Sequence, residues 1–292
     1  MPRQIGILNL PATFSRRHGM RRALFLGVAL LGTANILPIR GAGAASLDEI
    51  KARGTMNVAT EDSYKPFEYV ENGTPMGLDH GLLAVLRKEA PFKIEQQIIP
   101  WSGLLAGVAA GKYDVALTAA VITPDRVKNL DFTMPIAEAT QYYAVRADET
   151  RIKTVSDLAG KTVGVQAGGA SFAAIADLTK TLEAGGLKLG TVVQYPSFPE
   201  AYQDLANGRL DYVINGAVNL ASLVREQPKR FRMGTAVGAP TYAAWAVAKG
   251  NTALLDYLDG FMARIRADGT LYALQEKWLG TTFKAMPDQP TR

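Results

Sequence analysis

The stretch Gly111–Phe132, GKYDVALTAAVITPDRVKNLDF, decides how the rest of the chain is read. Gly111-Lys112 is a turn, and the short apolar run Asp114 to Leu117 behind it has the length and flanks of a buried strand in a parallel sheet. Thr118-Ala119-Ala120 reads as a small-residue loop, open enough for a ligand to approach the backbone, with Val121 closing it. Thr123 suits a helix N-cap and Pro124 the first helical position, which predicts Arg126 in the first turn of a helix. Positive charge there opposes the helix dipole, so Arg126 asks for a purpose. A guanidinium at the carboxyl end of a strand can grip a carboxylate through two parallel hydrogen bonds. The competing reading is an exposed arginine paired with a neighbouring acid.

Outward from that stretch, strand and helix patterns alternate along the chain. Strands are expected at Thr55–Thr60, Phe92–Ile99, Thr162–Gln166, Thr191–Tyr195 and Tyr242–Ala248. Leu82, Leu83 and Leu86 form one helical face, and Phe172, Ile175, Leu178 and Leu182 form another. Ser102, Ser171 and Ser197 are read as helix caps. Gly208–Gly216 repeats the turn-then-strand logic of Gly111–Leu117, as two halves of similar construction would. The alternation predicts an α/β protein with sheets flanked by helices.

The formal charge of +5 at pH 7 is concentrated in one place. Residues 1–44 carry Arg3, Arg16, Arg17, Arg21, Arg22 and Arg40 and no acid, which leaves 26 basic against 27 acidic residues in the remainder. A near-neutral body does not point to nucleic acid. The leader itself has the form of an export signal: Arg21-Arg22, an apolar run from Ala23, then Ala42-Gly43-Ala44 as a cleavage site near Ala44. Arg21–Phe25 also fits a twin-arginine signal, with Sec export as the alternative, and Met20 is an alternative start to Met1. Cysteine is absent, which excludes disulfides, thiolate chemistry and a lipid anchor on cysteine. His80 and His18 are the only histidines, so no histidine-based triad is readable, and His80 is expected to be solvated or capping.

Taken together, the GKYD turn, the T-P-D-R segment, Asn129–Thr133, the Y-x-P-F segment Tyr64–Phe67, Gly77–Leu82 and the end Ala267–Gly280 resemble the polar amino-acid branch of the periplasmic solute-binding proteins, the receptors of ABC importers. The resemblance spans roughly residues 46–280. It implies a two-lobed fold, each lobe a mainly parallel sheet flanked by helices and joined by two crossing strands. The expected division is residues 45–138 for the first part of lobe 1, 139–240 for lobe 2, 241–282 for the return, and a tail at 283–292. It further implies that Arg126 holds a ligand carboxylate with help from the Thr118–Val121 backbone and, from the other lobe, Gly168, Gly169, Ala170 and Ser171. Tyr64 and Phe67 would cover the ligand, and Glu61 would meet its distal group. Family members that bind amino acids place an aspartate for the α-ammonium where this chain has Asn215-Gly216, so the ligand is expected to be an amino acid, an amino-acid derivative or an organic acid. The expected partners are this small carboxylate and an inner-membrane permease, and the protein is expected to be a periplasmic monomer without cofactor or metal. Two other readings stay open. One is a cyclohexadienyl dehydratase-like enzyme on the same fold, for which Glu61 and Glu138 are the available general acids. The other is a ligand sensor or partner-binding module.

Overall fold

The structure, a computed structural model, describes residues 43–289; the leader assigned to residues 1–44 falls almost wholly outside them. The chain begins with α1 (Leu47–Arg53), fixed by a capping box between Ser46 and Glu49 and ended by Gly54 in the left-handed region. Then follow β1 (Thr55–Glu61), β2 (Ser63–Tyr64), β3 (Glu68–Glu71), β4 (Thr74–Met76), α2 (Leu78–Glu89), β5 (Lys93–Ile99), α3 (Leu104–Ala109) and β6 (Val115–Val121). After β7 (Leu130–Phe132) and β8 (Ala137–Glu138) the chain enters β9 (Gln141–Arg146), β10 (Val163–Gln166), α4 (Ala170–Ala184), β11 (Val192–Tyr195), α5 (Phe198–Ala206), β12 (Tyr212–Gly216), α6 (Ala217–Glu226) and β13 (Phe231–Ala236). It returns through β14 (Tyr242–Ala248) and closes with α7 (Thr252–Ala267) and α8 (Thr270–Leu279).

Two lobes result, each built on a mixed sheet. The first is ordered β5-β1-β6-β14-β7, with β8 also on β14; the second is ordered β11-β10-β12-β9-β13. In each, the β-α-β strands run parallel and one strand just past a crossing, β14 in the first and β9 in the second, runs antiparallel to its neighbours. A small antiparallel sheet, β2-β3-β4, covers one end of lobe 1 and had no clear sequence signal. All seven residues of β6 are buried, as a central strand requires. On α2 the buried face is Leu78, Leu82, Leu83 and Leu86, and on α7 it runs from Leu254 to Ile265. Gly77 is required at the start of α2, because a Cβ there would stand 2.3 Å from the Phe67 carbonyl oxygen.

Several local expectations are corrected. Thr118–Ala120 is not a loop: β6 runs on to Val121 because Ala120 and Val121 pair with Ala244 and Ala243 of β14. The helix predicted after Thr123 is a single 3-10 turn, Arg126–Lys128, cut short because Leu130 must pair with Ala248. Asp125, not Thr123, is the N-cap of that turn, although the Thr123 hydroxyl accepts from the Arg126 N–H at 3.4 Å. Ser102 is not a cap: Trp101–Leu104 forms a turn with Gly103 at φ 83°, and α3 starts at its end. Ser171 lies inside α4, whose cap is Gly169, and its hydroxyl accepts from Gln166 N–H at 3.0 Å. Phe172 leaves the apolar face of α4 and is 41% exposed.

The crossing segments lie side by side. Ala139 N–H donates to the Thr241 carbonyl at 2.8 Å, the Thr241 hydroxyl returns a bond to the Ala139 carbonyl at 2.9 Å, and Val237 N–H reaches the Gln141 carbonyl at 2.9 Å. Both lobes send the carboxyl ends of parallel strands toward the gap between them: β1 and β6 from one, β10 and β12 from the other. In open α/β sheets that is where ligands bind.

Candidate functional site

The carboxyl end of β6 and the turn after it deliver Arg126. Its Nη1 donates to the Val121 carbonyl at 2.7 Å, which anchors the head on its own lobe. Nη2 donates to the Gly168 carbonyl of the opposite lobe at 3.2 Å. The guanidinium lies 4.9 Å above the Trp101 ring. The residue as a whole is half-buried, but its charged head is enclosed, and burial lowers it to about 10 while Tyr64 and Glu61 pull the other way. Trp101 is the site residue that carried least signal in the sequence.

Glu61 ends β1 at 2% exposure. Its Oε1 accepts from Gln166 Nε2 at 2.6 Å, across the cleft from the end of β10. Burial pushes Glu61 up to about 8; Asp62 adds to the rise, while the Gln166 bond and Arg126 oppose it. Tyr64, on β2, donates its hydroxyl to Asn215 Oδ1 at 3.3 Å, a further bond between lobes, and burial raises its phenol. Asn215 Oδ1 also accepts from Gly216 N–H at 2.7 Å, and its Nδ2 donates to the Tyr202 hydroxyl at 2.8 Å. Tyr64 packs against Phe198 of lobe 2 at 5.9 Å between ring centroids and against Phe67 at 5.7 Å.

Not every predicted site residue faces the cleft. Phe67 is 1% exposed and sits behind Tyr64 in the lobe 1 core. Thr118 spends its hydroxyl on Glu68, and Ala119 N–H points to the same carboxyl at 3.4 Å. Glu68 and Asp79 are both fully buried, and Asp79 Oδ1 accepts from Trp245 Nε1. Burial raises both acids, Asp79 to about 6, and the pair holds a proton between them. Ala120 is paired in the sheet, so this segment offers Arg126 the Val121 carbonyl and little else. Gly168, Gly169 and Ala170, with Val121 and Arg126, line a hollow of about 670 Å³ beside the crossing segments, where Gln141 and Thr241 also line it. Glu138 lies in the crossing, where it accepts from the Thr140 hydroxyl at 2.9 Å. His80 is neither solvated nor a cap: half-buried, it meets Gln96 at 3.1 Å, and burial lowers it to about 4. Among the described residues no group of three or more His, Cys, Asp or Glu could hold a metal ion, and no helix is long and apolar enough to cross a membrane.

Two lobes, a double crossing and a cleft at the strand ends define a solute receptor of the hinged type. The chain belongs to the bacterial extracellular solute-binding proteins, family 3, whose family model matches residues 56–281. It is 29% identical over 262 residues to the L-cystine-binding protein TcyJ of Escherichia coli strain K12, covering 86% of this chain and 95% of that one. Among solved structures, an ancestral arginine-binding protein bound to arginine matches at 33% identity with a TM-score of 0.68, over 77% of this chain and 98% of that one. The ancestral amino acid-binding protein AncCDT-1, a precursor of cyclohexadienyl dehydratase, matches at 29% identity and 0.71, over 80% and 98%. These relatives are binding proteins.

Proposed function

We propose that this protein is a periplasmic receptor that captures an amino acid or closely related carboxylate by closing its two lobes, and hands it to an ABC permease. The observation that carries this reading is the placement of Arg126. Its fork is anchored to lobe 1 at Val121 and directed at the β10–α4 loop of lobe 2, where its acceptor is a backbone carbonyl. A ligand carboxylate in place of the Gly168 carbonyl would make charge-assisted bonds to the same head, while Ala170 at the start of α4 offers its N–H from the other side. The ligand then touches both lobes and favours the closed state by its differential contacts. Residues 139–240 move as the second lobe, and export removes the leader near Ala44. The protein acts as a monomer and a receptor rather than a catalyst, in keeping with the binding proteins to which it is similar.

The test is isothermal titration of the protein, unfolded and refolded to remove carried-over ligand, with amino acids, their derivatives, mono- and dicarboxylates and prephenate. A charge-assisted bond of roughly 1.5–3 kcal/mol corresponds to a loss of about 12- to 160-fold in affinity for Arg126→Ala. Equal affinity in the variant would remove Arg126 from the site, and turnover of prephenate would replace the receptor reading with the enzyme.

A further inference from the structure

Asn219 stands in the first turn of α6, three residues past Gly216, and is 3% exposed. Its Nδ2 donates to the Lys65 carbonyl of lobe 1 at 2.8 Å. A backbone carbonyl can only accept, so this bond fixes the amide: NH₂ toward lobe 1, Oδ1 the other way. That oxygen is buried and has no hydrogen-bond donor. It lies 2.6 Å from where a Cβ on Gly216 would stand, and the same point is 3.6 Å from the Tyr64 hydroxyl. Glycine at 216 is what makes room for it beside Tyr64. An acceptor left in this state costs on the order of 1–3 kcal/mol until a donor reaches it.

The surroundings say what kind of donor fits. A hollow of about 230 Å³ opens beside Asn219, lined also by Lys65, Tyr202, Leu223, Arg230 and Phe231. A second, of about 220 Å³, continues from it past Lys65 and Tyr202 to Tyr64 and Asn215. Glu226, the carboxylate of the hollow that Asn219 lines, is paired with Lys65 at 3.2 Å; Glu71 and Asp62 line the second hollow, which Asn219 does not reach, and Glu61 is engaged with Gln166. A buried ammonium needs an ionised partner, and a neutral amide oxygen does not supply one. An amide N–H, by contrast, is fully satisfied by it.

We propose that Asn219 is a ligand-binding residue whose Oδ1 accepts the N–H of an N-acyl α-amino acid, with the acyl group lodged in the adjoining hollow. This rests on the carboxylate-receptor reading above, since Arg126 holds the other end of the ligand. The acylated ligand brings one negative charge, matched by Arg126, and no positive charge to be buried. The pair Asn219 and Gly216 therefore sets specificity at the nitrogen.

The probes are the standard L-amino acids, their N-acetyl derivatives and their desamino carboxylates, titrated into the refolded protein, Arg126→Ala, Asn219→Leu and Asn219→Ala. The N-acetyl form of the preferred side chain is expected to bind at least as tightly as its parent, and about tenfold or more tighter than the desamino form, as one buried hydrogen bond predicts. In Asn219→Leu the N-acetyl and desamino forms come within about threefold of each other, with the dependence on Arg126 intact; Asn219→Ala answers the same question if leucine prevents folding. A parent amino acid that outbinds its N-acetyl form by about a hundredfold, or a preference that survives in both Asn219 variants, overturns the proposal. Binding that depends on Arg126 but ignores the nitrogen leaves the receptor standing and removes Asn219. No binding by any of the three forms takes down both readings.

Discussion

Replacing Glu61 with glutamine keeps an acceptor for Gln166 Nε2 and removes a group that burial holds protonated. The ordinary value of 4.5 applies in the unfolded chain, against about 8 in the closed protein. Because the folded value is the higher one, the stabilising contribution is complete below pH 4.5 and is lost as pH rises, until the group ionises in both states above about 8. At about 1.4 kcal/mol for each tenfold difference in proton affinity, the ceiling is roughly 5 kcal/mol. Between pH 5 and pH 8 the wild type should therefore lose about 3 kcal/mol relative to Glu61→Gln. The cleft can relieve part of this by opening and letting water reach the carboxylate, so two readouts are needed. One is urea unfolding of the ligand-free proteins across that range. The other is the interlobe distance by energy transfer between Lys88→Cys and Lys180→Cys, one exposed site on each lobe, which label cleanly because the chain has no cysteine of its own. The wild type should unfold more easily, open further, or both as pH rises, while Glu61→Gln stays level. Identical pH dependence of the two proteins in both readouts would refute the reasoning.

Trp245→Phe removes the indole donor to Asp79 inside lobe 1 and should cost roughly 1–3 kcal/mol by urea unfolding. That donor favours the ionised form of Asp79, so the deficit should widen as pH rises through about 6, and a deficit independent of pH would mean that packing alone was lost. Lys65→Met breaks the exposed ion pair with Glu226 that spans the lobes. It should change stability by less than about 1 kcal/mol, and any opening of the cleft seen by energy transfer should match that of the wild type near 1 M salt, where such pairs are screened.

The parts of the fold that were legible are those written in local chemistry. Gly111, Gly208 and Gly216 mark the starts and ends of β6 and β12, and the leucines of α2 repeat at helical spacing. Pairing partners far along the chain were not legible. Nothing in Thr118-Ala119-Ala120 reveals that Ala243 and Ala244 will extend the strand over them, and nothing in Arg126–Lys128 reveals that Leu130 is held by Ala248. The site followed the same rule. Arg126, Glu61 and Tyr64 were nominated by type and place, but Gln166, Trp101 and Asn219 were not, because each matters through a partner on a distant segment: Glu61, Arg126 and the Lys65 carbonyl. Asn219 left one trace, the glycine at 216 that clears its space.

The position of β14 has a consequence for the order in which the molecule can be assembled. This strand sits in the middle of the lobe 1 sheet, between β6 and β7, yet it is reached only after the whole of lobe 2 has been traversed. A chain halted before Tyr242 can pair β5, β1 and β6, but it leaves β6 with a bare edge and β7 with no strand beside it. Lobe 2 has its full set of strands by Ala236 and can be complete while lobe 1 is still divided. The N-terminal lobe is therefore the last to close. Its final seam is also the strand that tethers the two bodies, so the molecule acquires its hinge and the core of its N-terminal lobe in one event.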